Sequence, residues 1–244
     1  MYHIKKEQRH IPITFYFCRH GETDLNREGV FQGQGVDAPL NAKGREQAKE
    51  LAVLFKEGLP LIDMGFTSPL KRAHETAQIV WGHLPPERRF PLVVDPLVKE
   101  GSFGWAEGKK KDAVKTKIPG RYAMWRTPHS PMARLPGGES QEEIGARGMQ
   151  FLKDVVDLCQ GTYEASSKDE VRIAVFSHAA LTRCLLYKMG VTMEDIPNAR
   201  PVKIVYRNHQ WLYQGIVLAG QLSGQTPGAN LPIRVQVHSG RFHV

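Results

Sequence analysis

Apolar and polar positions along the chain fall into short blocks of two periods. Ile13-Thr14-Phe15-Tyr16-Phe17-Cys18 is a β-branched and aromatic run of strand type, and a loop rich in Gly, Asn, Asp and Gln follows it. From about Asn41 to Lys56 the period changes: Ala48, Leu51, Ala52 and Phe55 recur at three- and four-residue spacing, which predicts an amphipathic helix. A second strand is expected near Leu61 to Thr67. Ser68-Pro69 then supplies an N-cap residue with proline at the first helical position, predicting a helix to about Trp81. Arg89 to Val94 reads as a third strand and Glu139 to Cys159 as a long helix. Val171 to Phe176 is the strongest strand signal, followed by a helix from about Ala179 to Met189. Strands and helices alternating at these lengths predict an α/β fold of three layers, with a mostly parallel central sheet and helices on both faces. One domain over residues 1–244 accommodates the pattern.

Two segments break the alternation. Residues 101–136 are rich in Lys, Arg, Gly and Pro and too long for a tight turn, so a cap insertion is expected there. Trp211 to Leu218 has the character of a late strand. About 219–244 then form a C-terminal extension, in which Gly220 to Asn230 is a polar loop and Leu231 to Val237 an edge strand or a docked tail.

Composition narrows the classes. The 244 residues carry 33 Lys plus Arg against 25 Asp plus Glu, a net charge of +8 with histidines neutral, in proportions ordinary for a globular protein. The apolar stretch around Ile11 to Cys18 runs directly into Arg19 and His20, so no membrane span is expected. Met1 to His10 contains Glu7 and no small-residue cleavage site, which makes the cytoplasm the default location. Cys18, Cys159 and Cys184 are too widely spaced for a Cys-x-x-Cys site or a disulfide framework, and are expected to be reduced and buried.

In open α/β sheets ligands bind beyond the carboxyl ends of the strands, so the junctions there are read first. The first strand ends in Arg19-His20-Gly21, the second reaches Ser68-Pro69-Leu70-Lys71-Arg72, and the late strand ends in Ser177-His178-Ala179. Two arginines and two histidines are thereby directed to one sheet edge. Arg grips phosphate oxygens as a planar fork, and a neutral imidazole offers a nucleophilic nitrogen, so the set suits a phosphoryl group.

Arg19-His20-Gly21-Glu22-Thr23, with Asn26, Gln32-Gly33, Asp37, Pro39-Leu40, Gly44 and Gln47-Ala48, closely resembles the opening motif of the histidine phosphatase superfamily, the phosphoglycerate-mutase-like fold. Ser68 to Ala73 with Thr76-Ala77 resembles its second-arginine motif, and Glu100 with Phe103-Gly104 and Glu107-Gly108 its acid loop. Pro136 to Ser140 with Arg147 resembles the start of its long helix, and Ser177-His178 stands where the second histidine belongs. Two departures stand out: Ala179-Ala180 replaces the usual Gly-Gly, and Trp105 lies one position earlier than usual.

The resemblance implies that His20 is the nucleophile of a metal-independent phosphomonoesterase without cofactors, forming a phosphohistidine that water resolves. Arg19, Arg72 and His178 would stabilise the transferred group. Asn26, Gln32 and Gly33 would bind the same group or the rest of the substrate, and Glu100 would protonate the leaving oxygen. Competing motifs fail. Gly33 to Ala38 fits a loose dinucleotide pattern but follows no strand, His74-Glu75 lacks a histidine at 78, and Gly104 to Lys109 has the wrong spacing for a P-loop.

Between Lys109 and Arg134 stand Lys109, Lys110, Lys111, Lys115, Lys117, Arg121, Arg126 and Arg134 against Asp112 alone, a net of +7 in the expected cap. Arg121 and Arg126 are the candidates to meet a second anionic group, so a small polyanionic substrate such as a sugar bisphosphate is expected; for Lys109 to Lys111 a solvated face serves equally well. No nucleic-acid partner is expected. A phosphoglycerate mutase using the same phosphohistidine is the nearest alternative, and a non-catalytic scaffold of the same fold the third. Glu22 to Asn26 with Gln32-Gly33 sides with the phosphatases.

Overall fold

The computed structural model describes residues 10–163, 167–193, 195–217 and the backbone of 231–232. Its strands are β1 (Ile13–Arg19), β2 (Met64–Thr67), β3 (Leu92–Val94), β4 (Val171–Ser177), β5 (Pro201–Arg207), β6 (Gln210–Ile216) and β7 (Leu231–Pro232). The α-helices are α1 (Asp24–Arg27), α2 (Ala42–Val53), α3 (Lys71–His83), α4 (Lys111–Lys117), α5 (Pro119–Arg126), α6 (Gln141–Tyr163) and α7 (Ala179–Lys188). The sheet order is β3-β2-β4-β1-β5-β6-β7. Pairings from β3 through β1 are parallel, whereas β5, β6 and β7 extend the sheet antiparallel beside β1.

Strand alternation builds the layers. Phe15 and Phe17 of β1, with Ile173 and Val175 of β4, face Phe151, Leu152 and Val155 of α6 and Leu181 and Leu185 of α7. Tyr16, Cys18, Ala174 and Phe176 point the other way, onto Leu51 and Ala52 of α2 and Ala77 and Val80 of α3. Both faces of β1 and β4 are thus covered, which is why these strands are apolar runs rather than polar-apolar alternations.

Local chemistry shifts some boundaries. The helix expected from Ser68-Pro69 starts later, with Leu70 as its N-cap, because the Ser68 hydroxyl accepts the Leu70 N–H at 3.2 Å in a turn that precedes the helix. Residues 101–136 hold α4 and α5, and their Val114, Trp125 and Leu135 join the apolar cluster under α6. The Gln141 amide ties the end of α5 down by donating to the Trp125 and Thr127 carbonyls at 3.0 and 2.9 Å. The three cysteines are free and buried, and burial pushes the Cys159 and Cys184 thiols up to about 11 and about 12. Among the described residues no helix is long and apolar enough to cross a membrane. Of the extension at about 219–244, only the strand residues Leu231 and Pro232 lie within the described residues.

Candidate active site

Parallel register brings the three junctions side by side. Arg19 pairs with Ser177 and Thr67 with Phe176, so His20, His178 and the turn leading to α3 emerge at one edge. The His20 and His178 rings lie 5.2 Å apart between centroids. His20 is held on every side. Its carbonyl accepts from the Asn198 amide at 2.7 Å, the Gly21 N–H donates to the Thr76 hydroxyl at 3.0 Å, and the ring Nδ1–H donates to the Gly21 carbonyl at 2.6 Å. That last bond places the ring proton on Nδ1 and leaves Nε2 with a bare lone pair.

Burial, then the charges of Arg72 and Arg19, hold the His20 imidazole well below its ordinary pKa, so it stays neutral and nucleophilic at neutral pH. His178 is held down likewise by burial, then by Arg72, His20, Arg147 and Arg19. The guanidiniums are aimed by backbone carbonyls. Arg72, 1 % exposed, donates to Gly33 O at 2.7 Å, and Arg19 donates to Ile196 O at 2.7 Å. Burial lowers both arginines from their ordinary pKa, but they start so high that they stay cationic. Arg19 Nε, Arg72 Nε, His178 Nδ1 and Gln32 Oε1 are buried without a hydrogen-bond partner among the described residues. Unmet polar groups gathered around His20 mark where a ligand's polar atoms would go.

Glu100 and Glu107 have different surroundings. Glu100 lines the cavity, and its Oε1 accepts the N–H groups of Gly101 at 3.0 Å, Ala180 at 3.0 Å and Leu181 at 3.2 Å, the last two from the first turn of α7. Glu107 instead clamps two loops. Its Oε1 accepts from Phe103 N at 2.8 Å and Gln34 N at 3.2 Å, and its Oε2 from Gly35 N at 2.7 Å. Arg147 completes the frame by donating to the Glu139 carboxylate and to the Leu97, Lys99 and Glu100 carbonyls.

The cavity is lined by Arg19, His20, Asn26, Gln32, Gly33, Arg72 and Glu100 at its inner end. Asn26 also works locally, its Oδ1 accepting from Thr23 N at 3.2 Å in the cap of α1. Phe31, Phe103, Tyr122 and Trp125 also line it, together with the exposed Lys111 and Arg126 and the half-buried Arg183. Arg121 is a correction. It is exposed and outside the cavity lining, because α5 turns Tyr122, Trp125 and Arg126 inward instead.

Arg183, which the sequence motifs passed over, takes the place expected of Arg121. It follows the lining residues Ala179 and Ala180 by four and three positions, the helical spacing that shares a face, and its guanidinium lies 5.9 Å from the Trp125 ring centre. The excess charge of the segment divides by contact. Lys109 and Lys117 sit over the Trp105 ring at 4.3 and 5.6 Å, Arg134 pairs with Glu143, and Lys111 and Arg126 reach the cavity. Burial, then Arg19, Arg126 and Arg183, lowers the Lys111 pKa. Among the described residues no carboxylate forms an ion pair with Lys111, Arg126 or Arg183. Nor do three or more His, Cys, Asp or Glu converge there as metal ligands would.

Known proteins resemble this chain. A family model described as the histidine phosphatase superfamily (branch 1) matches residues 15–217. The fructose-2,6-bisphosphatase TIGAR B of Danio rerio is 37% identical over 147 residues, covering 59% of this chain and 54% of its own, so the chain spans about half the length of such relatives. A probable phosphoglycerate mutase GpmB of Cronobacter sakazakii is 30% identical over 227 residues, covering 86% and 94%. The crystal structure of a phosphoglycerate mutase from Bacillus anthracis superposes with a TM-score of 0.70 at 23% identity over 86% of this chain and 95% of that one, a likeness of fold.

Proposed function

The chain belongs to the histidine phosphatase superfamily (branch 1), and from that premise we propose that it is a phosphomonoesterase working through a phosphohistidine on His20. The carrying observation is the bare Nε2 of a neutral His20, set among Arg19, Arg72 and His178 with unmet polar atoms. Nε2 attacks phosphorus in line. The N–P bond forms as the ester P–O bond breaks, and charge spread over the three equatorial oxygens meets Arg19, Arg72 and His178. The departing oxygen takes its proton from Glu100, whose Oε1 is anchored by the N–H groups of Gly101, Ala180 and Leu181, so that Oε2 is the oxygen that passes the proton. Water then attacks phosphorus, giving its proton to Glu100 as the N–P bond breaks, and inorganic phosphate leaves. Asn26, Gln32 and Gly33 orient the bound group.

The outer cations support the substrate class. Lys111, Arg126 and Arg183 share the cavity with Arg19 and have no ion-paired acid among the described residues, so a second anionic group on a small phosphorylated metabolite is the counter-charge they suit. A sugar bisphosphate fits, its carbon skeleton lying along Phe31, Phe103, Tyr122 and Trp125. Residues 101–136 act as the cap that holds Phe103, Lys111, Tyr122, Trp125 and Arg126 at the phosphoryl site, within one domain, and the enzyme works in the cytoplasm.

The decisive test traps the intermediate. Wild-type protein mixed with a phosphomonoester and quenched should yield an acid-labile, base-stable phosphoenzyme, and His20→Ala should abolish both it and turnover. A His20→Ala protein with wild-type turnover would refute the mechanism. The near full-length match to a probable phosphoglycerate mutase keeps a mutase as the second hypothesis. There the phosphoryl returns to a hydroxyl of bound phosphoglycerate, and an interconversion assay distinguishes it from hydrolysis. Inactivity on p-nitrophenyl phosphate and in that assay would instead indicate a scaffold.

A further inference from the structure

We propose that Ser68 is a positioning residue that fixes the ring proton of His178 on Nδ1, turning that imidazole into an uncharged donor for the transferred phosphoryl group. This rests on the phosphohistidine mechanism above for its catalytic consequence, whereas the proton's location is set by the hydrogen bonds that Ser68 and His178 make within the protein. Ser68 and His178 are both fully buried, so bulk solvent reaches neither side chain. The serine backbone is locked to the strand that delivers His178, since Ser68 N–H donates to Phe176 O at 3.0 Å.

The serine hydroxyl has one hydrogen to place and two lone pairs. Its oxygen accepts the Leu70 N–H at 3.2 Å and lies 2.8 Å from His178 Nε2, its two hydrogen-bond contacts. If Nε2 carried the ring proton and donated it to Ser68, the hydroxyl hydrogen would have no acceptor among the described residues and the Nδ1 lone pair would be unmet as well. If Ser68 donates to Nε2, the hydroxyl and Nε2 satisfy each other, the imidazole proton sits on Nδ1, and the one group left open in the pair is a donor available to a ligand. Nδ1 is the buried nitrogen of His178 that has no partner among the described residues, on a ring whose centre is 5.2 Å from that of the nucleophile.

The two tautomers have opposite effects on a phosphoryl oxygen. Nδ1–H attracts it, whereas a bare Nδ1 lone pair repels it. Ser68 therefore decides whether His178 helps or opposes the reaction while itself remaining out of contact with substrate. Loss of one preorganised donor to a developing oxyanion typically lowers kcat by about 10²–10³-fold, which sets the expected scale.

The test is nitrogen NMR on the full chain with isotope-labelled histidine, the His178 signals assigned with His178→Gln, alongside steady-state kinetics on p-nitrophenyl phosphate. Wild type should show a neutral His178 protonated at Nδ1. Ser68→Ala should move the proton toward Nε2 and lower kcat by about 10²-fold with KM nearly unchanged. Ser68→Thr, which keeps the hydroxyl, should retain the wild-type tautomer and most of the rate. A wild-type His178 protonated at Nε2 overturns the proposal, and this measurement suffices should Ser68→Ala fail to fold. So does a Ser68→Ala protein that keeps Nδ1–H, whatever its activity, because its rate would then reflect structure only. A wild-type chain without phosphatase activity counts against the phosphohistidine mechanism, and the tautomer still decides the part assigned to Ser68.

Discussion

Replacing Glu100 and Glu107 separately by glutamine distinguishes proton donation from scaffolding within one loop. Glu100→Gln keeps an sp² oxygen for the N–H groups of Gly101, Ala180 and Leu181, so the start of α7 stays anchored and the fold should tolerate the change. What disappears is the proton. General acid catalysis contributes about 10²–10⁴-fold, or about 2.7–5.4 kcal/mol at 1.36 kcal/mol per tenfold, so kcat on an alkyl phosphate should fall by that factor. On p-nitrophenyl phosphate, whose phenolate leaves without much help, the loss should stay within about tenfold. Glu107→Gln has the opposite profile. Both its oxygens accept backbone N–H groups, from Phe103 and Gln34 on one and Gly35 on the other, and an amide NH₂ in place of either oxygen faces a donor with a donor. Losing one or two charge-assisted bonds at about 1.5–3 kcal/mol each gives a cost of about 3 kcal/mol. At about 2–4 °C per kcal/mol for a chain of this size, Tm should drop by about 6–12 °C. Phosphate release on the two substrates and calorimetry of both variants read these outcomes. Equal losses for Glu100→Gln on both substrates, or a leaving-group-dependent loss for Glu107→Gln, would show that Glu100 is not the acid.

Arg126→Ala and Arg183→Ala should each raise KM for a bisphosphorylated sugar by about tenfold and for its monophosphorylated counterpart by less than about twofold, the difference shrinking at high salt. Equal losses on both substrates would remove the second-anion role. The acid limb of kcat/KM should lie below pH 6.5, because burial, Arg72 and Arg19 all hold His20 in its neutral form. Arg72→Met should slow turnover strongly and move the limb of the residual activity upward, towards pH 6.5; a limb that stays put would exclude Arg72 as a source of the shift. Since the unfolded chain binds protons on these two histidines below pH 6.5 while the folded chain does not, the urea midpoint should fall between pH 7.5 and pH 5.5. Thiol reagents should modify Cys18, Cys159 and Cys184 only on unfolding, given their burial.

The legible parts of this molecule are those in which local pattern and chemistry coincide. Arg19, His20 and His178 terminate apolar runs, and Arg72 sits in the first turn of a helix that follows one, so their positions at strand ends direct all four to one sheet edge. β5 is not legible in the sequence because Pro201, Lys203 and Arg207 interrupt its pattern and its reason for being a strand is non-local, an antiparallel pairing with β1. Asn198, which holds the His20 carbonyl, belongs to no motif and reaches the site from 178 residues away. Arg183 is legible from helical spacing behind His178, whereas the charge pattern of the cap points to Arg121 and Arg126, of which Arg126 lines the cavity.

Gly44 shows how a motif position acquires its reason only from tertiary contact. Nothing in the periodicity of α2 asks for glycine in its first turn, where it costs about 1 kcal/mol relative to alanine. The structure supplies the cause. A Cβ at Gly44 would meet the Glu22 carbonyl oxygen at 2.1 Å and the Glu22 nitrogen at 2.7 Å, and one at Gly21 would meet the Gly44 oxygen at 2.3 Å. The loop leaving His20 therefore lies backbone against backbone on α2, and neither side has a flexible side chain that can yield. Gly44→Ala should cost about 1–3 kcal/mol despite its better helix propensity, the range for forcing a methyl into packed surroundings. The displaced segment begins two residues after the nucleophile, and Gly21 carries both the N–H bound by Thr76 and the carbonyl that fixes the His20 tautomer. Turnover should consequently fall by more than the loss of folded protein accounts for, with the His20 ring proton no longer confined to Nδ1. A Gly44→Ala protein as stable and active as wild type would mean that the loop has room to move, and that His20 is aimed by Thr76 and Asn198 without the support of α2.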